Sequence, residues 1–507
     1  MRSFSPADRA RAGAAVAALA AFAVFVPSLS SGWLNWDDGL MVLRNPYIRG
    51  FDWVNLRWAF TSSPTGAYQP LAYLTWGLDY ALWGLDARGY HLTNVLLHAL
   101  NAALVFLVAR RLLGGRDAEL DAAALFSALV FALHPLRVES VSWIAERRDS
   151  LSGALWLGAV LAYLARRPRA LVYALFSAAC LAKGIAVTLP AVLFIVDVLL
   201  LGRSPRESLK DKLPMAALGG ALGALAVALQ MDASASWSWA DHGPGARLAQ
   251  AAYALAFYAR KTVWPAGLSP YYEMRPPLDP LEPRFVVSAL AVGGAAALLW
   301  RARGTKPGPA AAGAAYAVIL LPVSGLLQAG EQLVADRYSY LAALPLAALA
   351  GGALRIGLCR PARRRAAALA AGLAVVGLAA ASVRQQSHWR DSLSLWRRAL
   401  DVDPNSPTAL ANYGAALVEA GRVREAADSF SLALAADPAC LPAEGDPEKL
   451  RTRPVCRLTL NNLGAARAQL GELEEARRLL RLALRAEPGS ESARRNLERV
   501  EAALRAP

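Results

Sequence analysis

Long apolar runs separated by short polar connectors recur from residue 13 to about residue 383, each near the length a helix needs to cross a bilayer. The pattern predicts spans at 13–30, 90–110, 120–135, 150–165, 169–182, 184–201, 213–230, 285–301, 308–327, 338–356 and 365–384. Basic connectors fall after every second run: Arg2, Arg9 and Arg11; Arg110, Arg111 and Arg116; Arg166, Arg167 and Arg169; Arg203, Arg206, Lys210 and Lys212; Arg301, Arg303 and Lys306; then Arg355, Arg360, Arg363, Arg364 and Arg365. Placing all of them in the cytoplasm gives eleven crossings, an internal N-terminus and an external C-terminal tail. The apolar stretch ARLAQAAYALAFYARKTVWP (246–265) would break this alternation as a crossing, so a re-entrant or interfacial helix ending at Pro265 is expected there. With no small-x-small site ahead of a soluble domain, the first run reads as a retained signal anchor.

Five segments then face outward: a loop at 31–89, HPLRVESVSWIAERRD (134–149), the LAKG turn, the region 231–284, and GEQLVADRYSY (330–340). The first loop, about 59 residues long, exceeds what a connector needs and is rich in Trp and Tyr, which suit the headgroup layer. Within it VNLRWAF (54–60) predicts a helix lying along the interface.

From residue 392 the pattern becomes amphipathic and repeats. Pro404 and Pro438 lie 34 residues apart, and Gly414, Ala426, Phe430, Ala433 and Pro438 match Gly464, Ala476, Leu480, Ala483 and Pro488 in register. Small residues where paired helices touch, a bulky residue in the gap and a closing Pro are the tetratricopeptide pattern. Ser392, Trp396, Ala399 and Pro404 match half of an earlier unit, and 491–504 reads as a polar capping helix. The fold class expected is all-α: a polytopic membrane domain over 1–385, then an α-solenoid tail over 386–507. About 16 residues are inserted between the full repeats, around 439–454, bracketed by Cys440 and Cys456. These two either form a disulfide or remain buried thiols, whereas Cys180 and Cys359 are expected reduced.

Composition agrees with a membrane protein, at 56% hydrophobic and 18% charged residues. The net charge of +15 would suit nucleic acid, but its distribution among inter-span connectors points to bilayer orientation instead, and no nucleic-acid partner is expected.

Polar residues inside this apolar frame need a reason. NWDD places Asp37 and Asp38 side by side just past the first span. Asn94, His98 and Asn101 share one face of the second span, where either helix–helix hydrogen bonding or a site role would explain them. His134, Arg137, Glu139, Glu146, Arg147, Arg148 and Asp149 form a mixed outer cluster whose guanidinium groups suit a phosphate. Lys183 and Thr188, and then Asp336, Arg337, Tyr338 and Tyr340, stand at other outer ends. No Walker motif, GxGxxG or Cys/His metal spacing occurs, so cytoplasmic nucleotide use is not expected.

The stretches NWDDGLMVLRNP, WAFTSS, QPLAYLTWGLDYALWGLDARGYHLTNVLLHALN, FALHPLRVESVSWIAERRDSLS, AKGIAVTLP, ADRYSYL and HWRDSLSLWRRAL, followed by the repeats, resemble the transmembrane and tetratricopeptide-repeat O-mannosyltransferases and their bacterial relatives. The resemblance departs from the family at Gln69, where His or Arg is more usual, and at Gly184 and Ile185, which replace Pro-Met. It implies a multispanning glycosyltransferase of the GT-C type that takes a sugar from a polyprenyl-phosphate donor, mannose for example, on the outer face of the membrane. It implies that the acidic pair is catalytic, with Asp38 expected as general base on a Ser or Thr hydroxyl and Asp37 orienting it or holding an optional divalent cation, Mg or Mn. Candidates for the donor phosphate are Arg337, Lys183, Arg137, His134 and Arg148. Candidates for substrate contact are Glu139, Asp149, Tyr338, Tyr340 and His98. The tail would hold a protein acceptor or partner, and a bacterial inner membrane with the tail in the periplasm is expected. The alternatives are an inactive membrane-anchored interaction scaffold and a transporter of lipid-linked glycans; the inverted repeats a transporter would show are not evident.

Overall fold

A computed structural model describes residues 5–64, 66–115, 117–230, 242–275, 277–326, 332–437, 440, 450 and 454–505. Arg2, Arg116, Pro438 and most of the insertion at 439–454 lie outside the described residues. The described chain is helical, without strands, and divides into two compact units. The first holds 1–33, 37–268 and 274–390; the second holds 391–507 together with 34–36 and 269–273.

The first unit is built from α1 (Pro6–Phe25), α2 (Trp53–Thr61), α3 (Pro70–Trp83), α4 (Ala87–Leu113), α5 (Ala118–Ala132), α6 (Val138–Ser142), α7 (Arg147–Leu164), α8 (Arg169–Ala182), α9 (Leu189–Ile195), α10 (Pro205–Gln230), α11 (Pro244–Val263), α12 (Pro283–Ala302), α13 (Pro307–Leu320), α14 (Ser339–Leu358) and α15 (Pro361–Gln386). Most helix starts are legible as local chemistry: Asp52, Asp86 and Asp117 cap α2, α4 and α5 with side-chain carboxylates, and Pro opens α3 and α10 to α13. Helix α4 lies at the centre, packed by α1, α5 and α7, while α14 packs on α5 and α13.

Every predicted span coincides with a helix, but fewer of them meet the requirements for a crossing. Six are long and apolar enough to cross a membrane, or seven if α5 and the following turn through Ser142, bent by 53°, count as one. The segments 169–182, 184–200 and 307–323 are shorter apolar helices, and α7 starts on Arg147, Arg148 and Asp149. Several of the long helices bury little of their apolar surface: Leu290, Leu298, Leu369, Leu373 and Val376 are all more than 60% exposed. A water-soluble protein does not leave such stripes open, so these faces meet lipid. The chain is an integral membrane protein.

The stretch 246–265 holds one helix, α11, that runs unbroken to Val263, within the expectation of a helix ending by Pro265, and its Tyr253 ring packs on Phe285 of α12. The loop 31–89 is largely structured, with a 14-residue helix, α3, that hydropathy did not reveal because it is too short for a span. It buries Tyr73, Trp76 and Asp79 and ends at Gly84, whose φ of +60° a side chain would strain.

The second unit contains α16 (Ser392–Val402), α17 (Pro407–Glu419), α18 (Val423–Ala436), α19 (Pro454–Gln469), α20 (Leu473–Ala486) and α21 (Glu491–Arg505), each packed on the next. The repeat register explains the packing. A Cβ on Gly414 would lie 2.6 Å from the Phe430 ring, and one on Gly464 would lie 2.7 Å from Leu480, so only glycine lets each helix pair close. Cys440 and Cys456 are joined in a disulfide, with Cα atoms 5.0 Å apart, and Cys180 and Cys359 are free.

Residues 34–36 and 269–273 are integral to this second unit. Asn35 accepts a hydrogen bond from Trp396 Nε1 at 2.7 Å and donates to the Asn412 carbonyl, while the Trp36 ring packs on Trp396 and Tyr271. Glu273 accepts from the hydroxyls of Ser406 and Thr408 at the start of α17.

Candidate active site

The segments that follow α5, precede α7 and follow α8 meet the acidic pair and the Asp336–Tyr338 turn. Arg147 pins them. Its guanidinium is fully buried and bonds Asp79 of α3, Asn94 of α4 at 2.7 Å and the Tyr90 carbonyl at 2.9 Å. Neutralised by Asp79 and bonded on several sides, it satisfies the demands on a buried charge and fixes the start of α7. The next residues, Arg148 and Asp149, are thereby set in place.

Glu146 sits at the middle of the resulting charge cluster. It accepts from Arg148 Nη2 at 2.7 Å and Lys183 Nζ at 2.6 Å, with Arg337 Nε at 3.7 Å. Burial alone would raise its carboxyl, but Arg148, Lys183 and Arg337 outweigh that and hold it well below the usual glutamate range. Lys183 also bonds Asp149 at 2.6 Å, and Asp149 accepts from Ser140 Oγ. Arg337 is held by Glu139 through both its backbone N–H, at 2.9 Å, and its guanidinium, at 2.5 Å. Tyr338 lies against this group, with Lys183 Nζ 6.0 Å and Arg337 Cζ 5.0 Å from its ring.

The two aspartates differ. Asp38 is fully buried and accepts the Ala145 N–H at 3.0 Å, an arrangement that anchors its loop to the segment before Glu146. Asp37 is half-buried, and burial raises its carboxyl above the ordinary aspartate range against the pull of Arg148 and Arg337, with Glu146 adding to the rise. Arg148 and Arg337 are its cationic neighbours, and the Glu146 carboxylate acts on it from the same cluster.

Of the expected site residues, the structure brings together Asp37, Asp38, Glu139, Arg148, Asp149, Lys183, Arg337 and Tyr338. Four others make their contacts inside the bundle, although Arg137 keeps Nε and Nη1 without a hydrogen-bond partner among the described residues. His98 is fully buried with Nδ1 bonded to the Tyr340 hydroxyl at 2.8 Å and Nε2 to the Ala132 carbonyl at 2.9 Å, so no ring nitrogen remains for a substrate. Tyr340 is 1% exposed, and its hydroxyl also accepts from Asn101. His134 turns the chain between α5 and α6: its Nδ1 accepts the Leu136 N–H and its Nε2 faces the Thr262 carbonyl at 3.0 Å. Arg137 is buried under the rings of Phe131 and Tyr340 and donates to Ser339 Oγ at 2.6 Å. The polar face of the second span is thus helix-joining, since Asn94 bonds the Val141 and Trp143 carbonyls and Asn101 the Ser150 carbonyl.

Two contributors were not singled out as site residues. Glu146 was visible only as one charge in a run, and Gln69 only as a departure from the family pattern, yet Gln69 Oε1 faces Arg148 Nη1 at 3.4 Å. The adjacency of Glu146 and Arg148 on one turn was the available signal for the first; the second needed the fold.

No family model matches the chain. It is 36% identical over 160 residues to the protein O-mannosyl-transferase Tmtc1 of Drosophila melanogaster, which covers 30% of this chain and 18% of that protein. It is 34% identical over 155 residues to Drosophila Tmtc2, and 34% identical over 97 residues to mouse TMTC3. Over these stretches the chain is similar to proteins named protein O-mannosyl-transferases. It spans less than a fifth of the length of these relatives. Among solved structures, ArnT from Cupriavidus metallidurans bound to undecaprenyl phosphate aligns over 95% of this chain and 75% of that one, at 15% identity and a TM-score of 0.32. The first TPR domain of Spaghetti (RPAP3) bound to an HSP90 peptide aligns over 23% of this chain and 79% of that one, at 23% identity and a TM-score of 0.19. Scores this low carry no inference about the site.

Proposed function

We propose that the chain is a membrane glycosyltransferase that moves a sugar, mannose in the first instance, from a polyprenyl-phosphate donor to a Ser or Thr hydroxyl of a protein. The observation that carries this reading is the half-buried Asp37 carboxylate set beside Arg148, with Lys183 and Arg337 gathered on Glu146 next to it. The family of the related proteins supplies the reaction class.

The roles expected within the acidic pair are exchanged in this proposal. Asp38 has no exposed surface, so Asp37 is the carboxylate an acceptor reaches, and Asp38 positions it. Asp37 takes the hydroxyl proton as the acceptor oxygen bonds to the anomeric carbon from the face opposite the phosphate. The bond from that carbon to the phosphate oxygen breaks, and the electron pair leaves on the polyprenyl phosphate. Arg148 and Lys183 have N–H groups beyond those spent on Glu146 and Asp149, and these stabilise the leaving phosphate. Glu146 and Asp149 hold both cations in place. No step passes through a metal ion.

The outer face is proposed for this chemistry. The basic-connector pattern supports it, as does the Cys440–Cys456 disulfide, since such bonds persist in oxidising compartments. Residues 34–36 and 269–273, from two loops expected outside, belong to the same unit as the tail and so share its side. A bacterial inner membrane with a periplasmic tail, and an acceptor held by the repeats, complete the proposal.

The test is transfer from polyprenyl-phosphate mannose in membranes containing Asp37→Asn or Asp38→Asn. Asp37→Asn is expected to lower turnover by a factor of about 100 to 10,000, the range for loss of a general base. Full activity in Asp37→Asn would remove the assignment, and transfer absent from the wild-type protein with every donor tried would remove the function.

A further inference from the structure

At the opposite end of α7 from the charge cluster, ~25 Å away by helix rise, lies a second polar cavity. Its volume is about 700 Å³, and it opens between the α7–α8 turn, the end of α4 and the start of α10. Six cations line it, Arg111, Arg166, Arg167, Arg169, Arg203 and Lys212, against two carboxylates, Asp197 and Asp211.

Both carboxylates are already committed. Asp197 is fully buried and accepts from Tyr163 Oη at 2.6 Å, Ser208 Oγ at 2.7 Å, Lys212 Nζ at 2.9 Å and Arg203 Nη1 at 2.9 Å. Asp211 pairs with Lys212 at 2.7 Å and Arg169 at 2.6 Å. Among the described residues no carboxylate lies within salt-bridge distance of Arg111, Arg166 or Arg167, and all three are exposed. The floor is thus a saturated network that holds Lys212 and Arg203 rigidly, and the rim carries a surplus of positive charge.

The rim is also shaped at a cost. Arg166 has φ of +53°, the one non-glycine residue in the left-handed region among the described residues. It closes α7 with the paired bonds of a glycine-type helix end, Arg166 N–H to the Tyr163 carbonyl and Arg167 N–H to the Ala162 carbonyl, both at 2.9 Å. Glycine would relieve that strain, whereas arginine keeps a guanidinium at the mouth. Charges that only orient a chain across a bilayer need neither a cavity nor a buried scaffold beneath them. The remaining walls are apolar, with Leu164, Val172, Leu193 and Met215.

We infer that this cavity binds a phosphate-bearing anion, and its apolar walls favour the phosphorylated headgroup of a membrane lipid over free phosphate. Guanidinium groups at the rim, above a floor whose Lys212 has all three N–H groups committed, suit phosphate oxygens, and the apolar wall accepts the start of an acyl or prenyl chain. The site is separate from the proposed transfer chemistry.

The test uses the full-length protein purified in neutral detergent and titrated with dioleoyl phosphatidic acid, dioleoyl phosphatidylcholine or inorganic phosphate, with bound lipid read by native mass spectrometry and stability by thermal shift. Wild type is expected to retain phosphatidic acid and not phosphatidylcholine. Arg166→Gln with Arg167→Gln should weaken that binding about tenfold or more, and Arg166→Lys with Arg167→Lys should keep it. Arg111→Gln, on α4, leaves the strained turn intact and should weaken binding in the same direction. Equal binding by wild type and all Gln variants would overturn the site, as would equal binding of phosphatidylcholine. Inorganic phosphate protecting as well as phosphatidic acid would overturn the lipid as the source.

Discussion

The two adjacent aspartates of NWDD are chemically identical in sequence and different in place. Asp38 commits its carboxylate to the Ala145 N–H inside the protein, while Asp37 is only half-buried, with Arg148 among its charged neighbours. The raised Asp37 carboxyl has a consequence for pH. The base must be ionised to take a proton, and burial moves its titration above the ordinary aspartate value of about 4. Transfer is therefore expected to rise with pH through an inflection above that value and to level off once Asp37 is ionised, as a kcat/KM profile would show. Asp37→Glu should keep an inflection at reduced rate, and Asp37→Asn should abolish it. His98 teaches the opposite lesson. A histidine on a polar helix face invited a substrate role, but two hydrogen bonds and complete burial make it a brace. His98→Ala leaves the Tyr340 hydroxyl and the Ala132 carbonyl short of a partner. It should cost about 1–3 kcal/mol of stability, seen as a lower midpoint in thermal unfolding of the detergent-solubilised protein. Remaining folded protein should keep its KM for the donor, which a substrate contact would not.

At the scale of elements, repeat register was the most readable feature. Identical spacing of Gly414 and Phe430, and of Gly464 and Leu480, translates directly into the contacts between α17 and α18 and between α19 and α20. Gly414→Val should force the pair apart and destabilise the tail by about 1–3 kcal/mol, detectable as faster cleavage of the tail in limited proteolysis. Membrane helices were legible in position but not in depth. Hydropathy located α8, α9 and α13, yet these are shorter apolar helices than a straight crossing needs. Helix α3 escaped notice for the same reason: 14 residues inside a loop give no span signal, and its start at Pro70 and end at Gly84 acquire meaning only once Tyr73 and Trp76 have a core to enter.

Across the whole molecule, two devices bear on its working environment. Exposed apolar stripes on α12 and α15 require lipid. The Cys440–Cys456 disulfide, closing a separation of 16 residues, should contribute about 3 kcal/mol to the tail by limiting its unfolded state. Cys440→Ser, or reduction by dithiothreitol, is expected to lower the unfolding midpoint of the tail, while α1 to α15, which hold only the free Cys180 and Cys359, should respond much less. Alkylation of both cysteines without prior reduction would contradict this.

Periodicity, composition and spacing determined by themselves the all-helical class, the membrane location and the repeats. Each of these rests on local chemistry repeated along the chain: apolar length, basic connectors, and small and bulky residues in register. The site was only partly readable this way. Sequence offered the charges, because charged residues in apolar surroundings demand partners. It could not say which charges spend themselves on one another. His134, His98 and Tyr340 went to bracing the bundle, while Arg148, Lys183 and Arg337 converged on Glu146 beside Asp37. That division depends on which helices meet and how deeply each side chain is buried, and only the tertiary structure decides it.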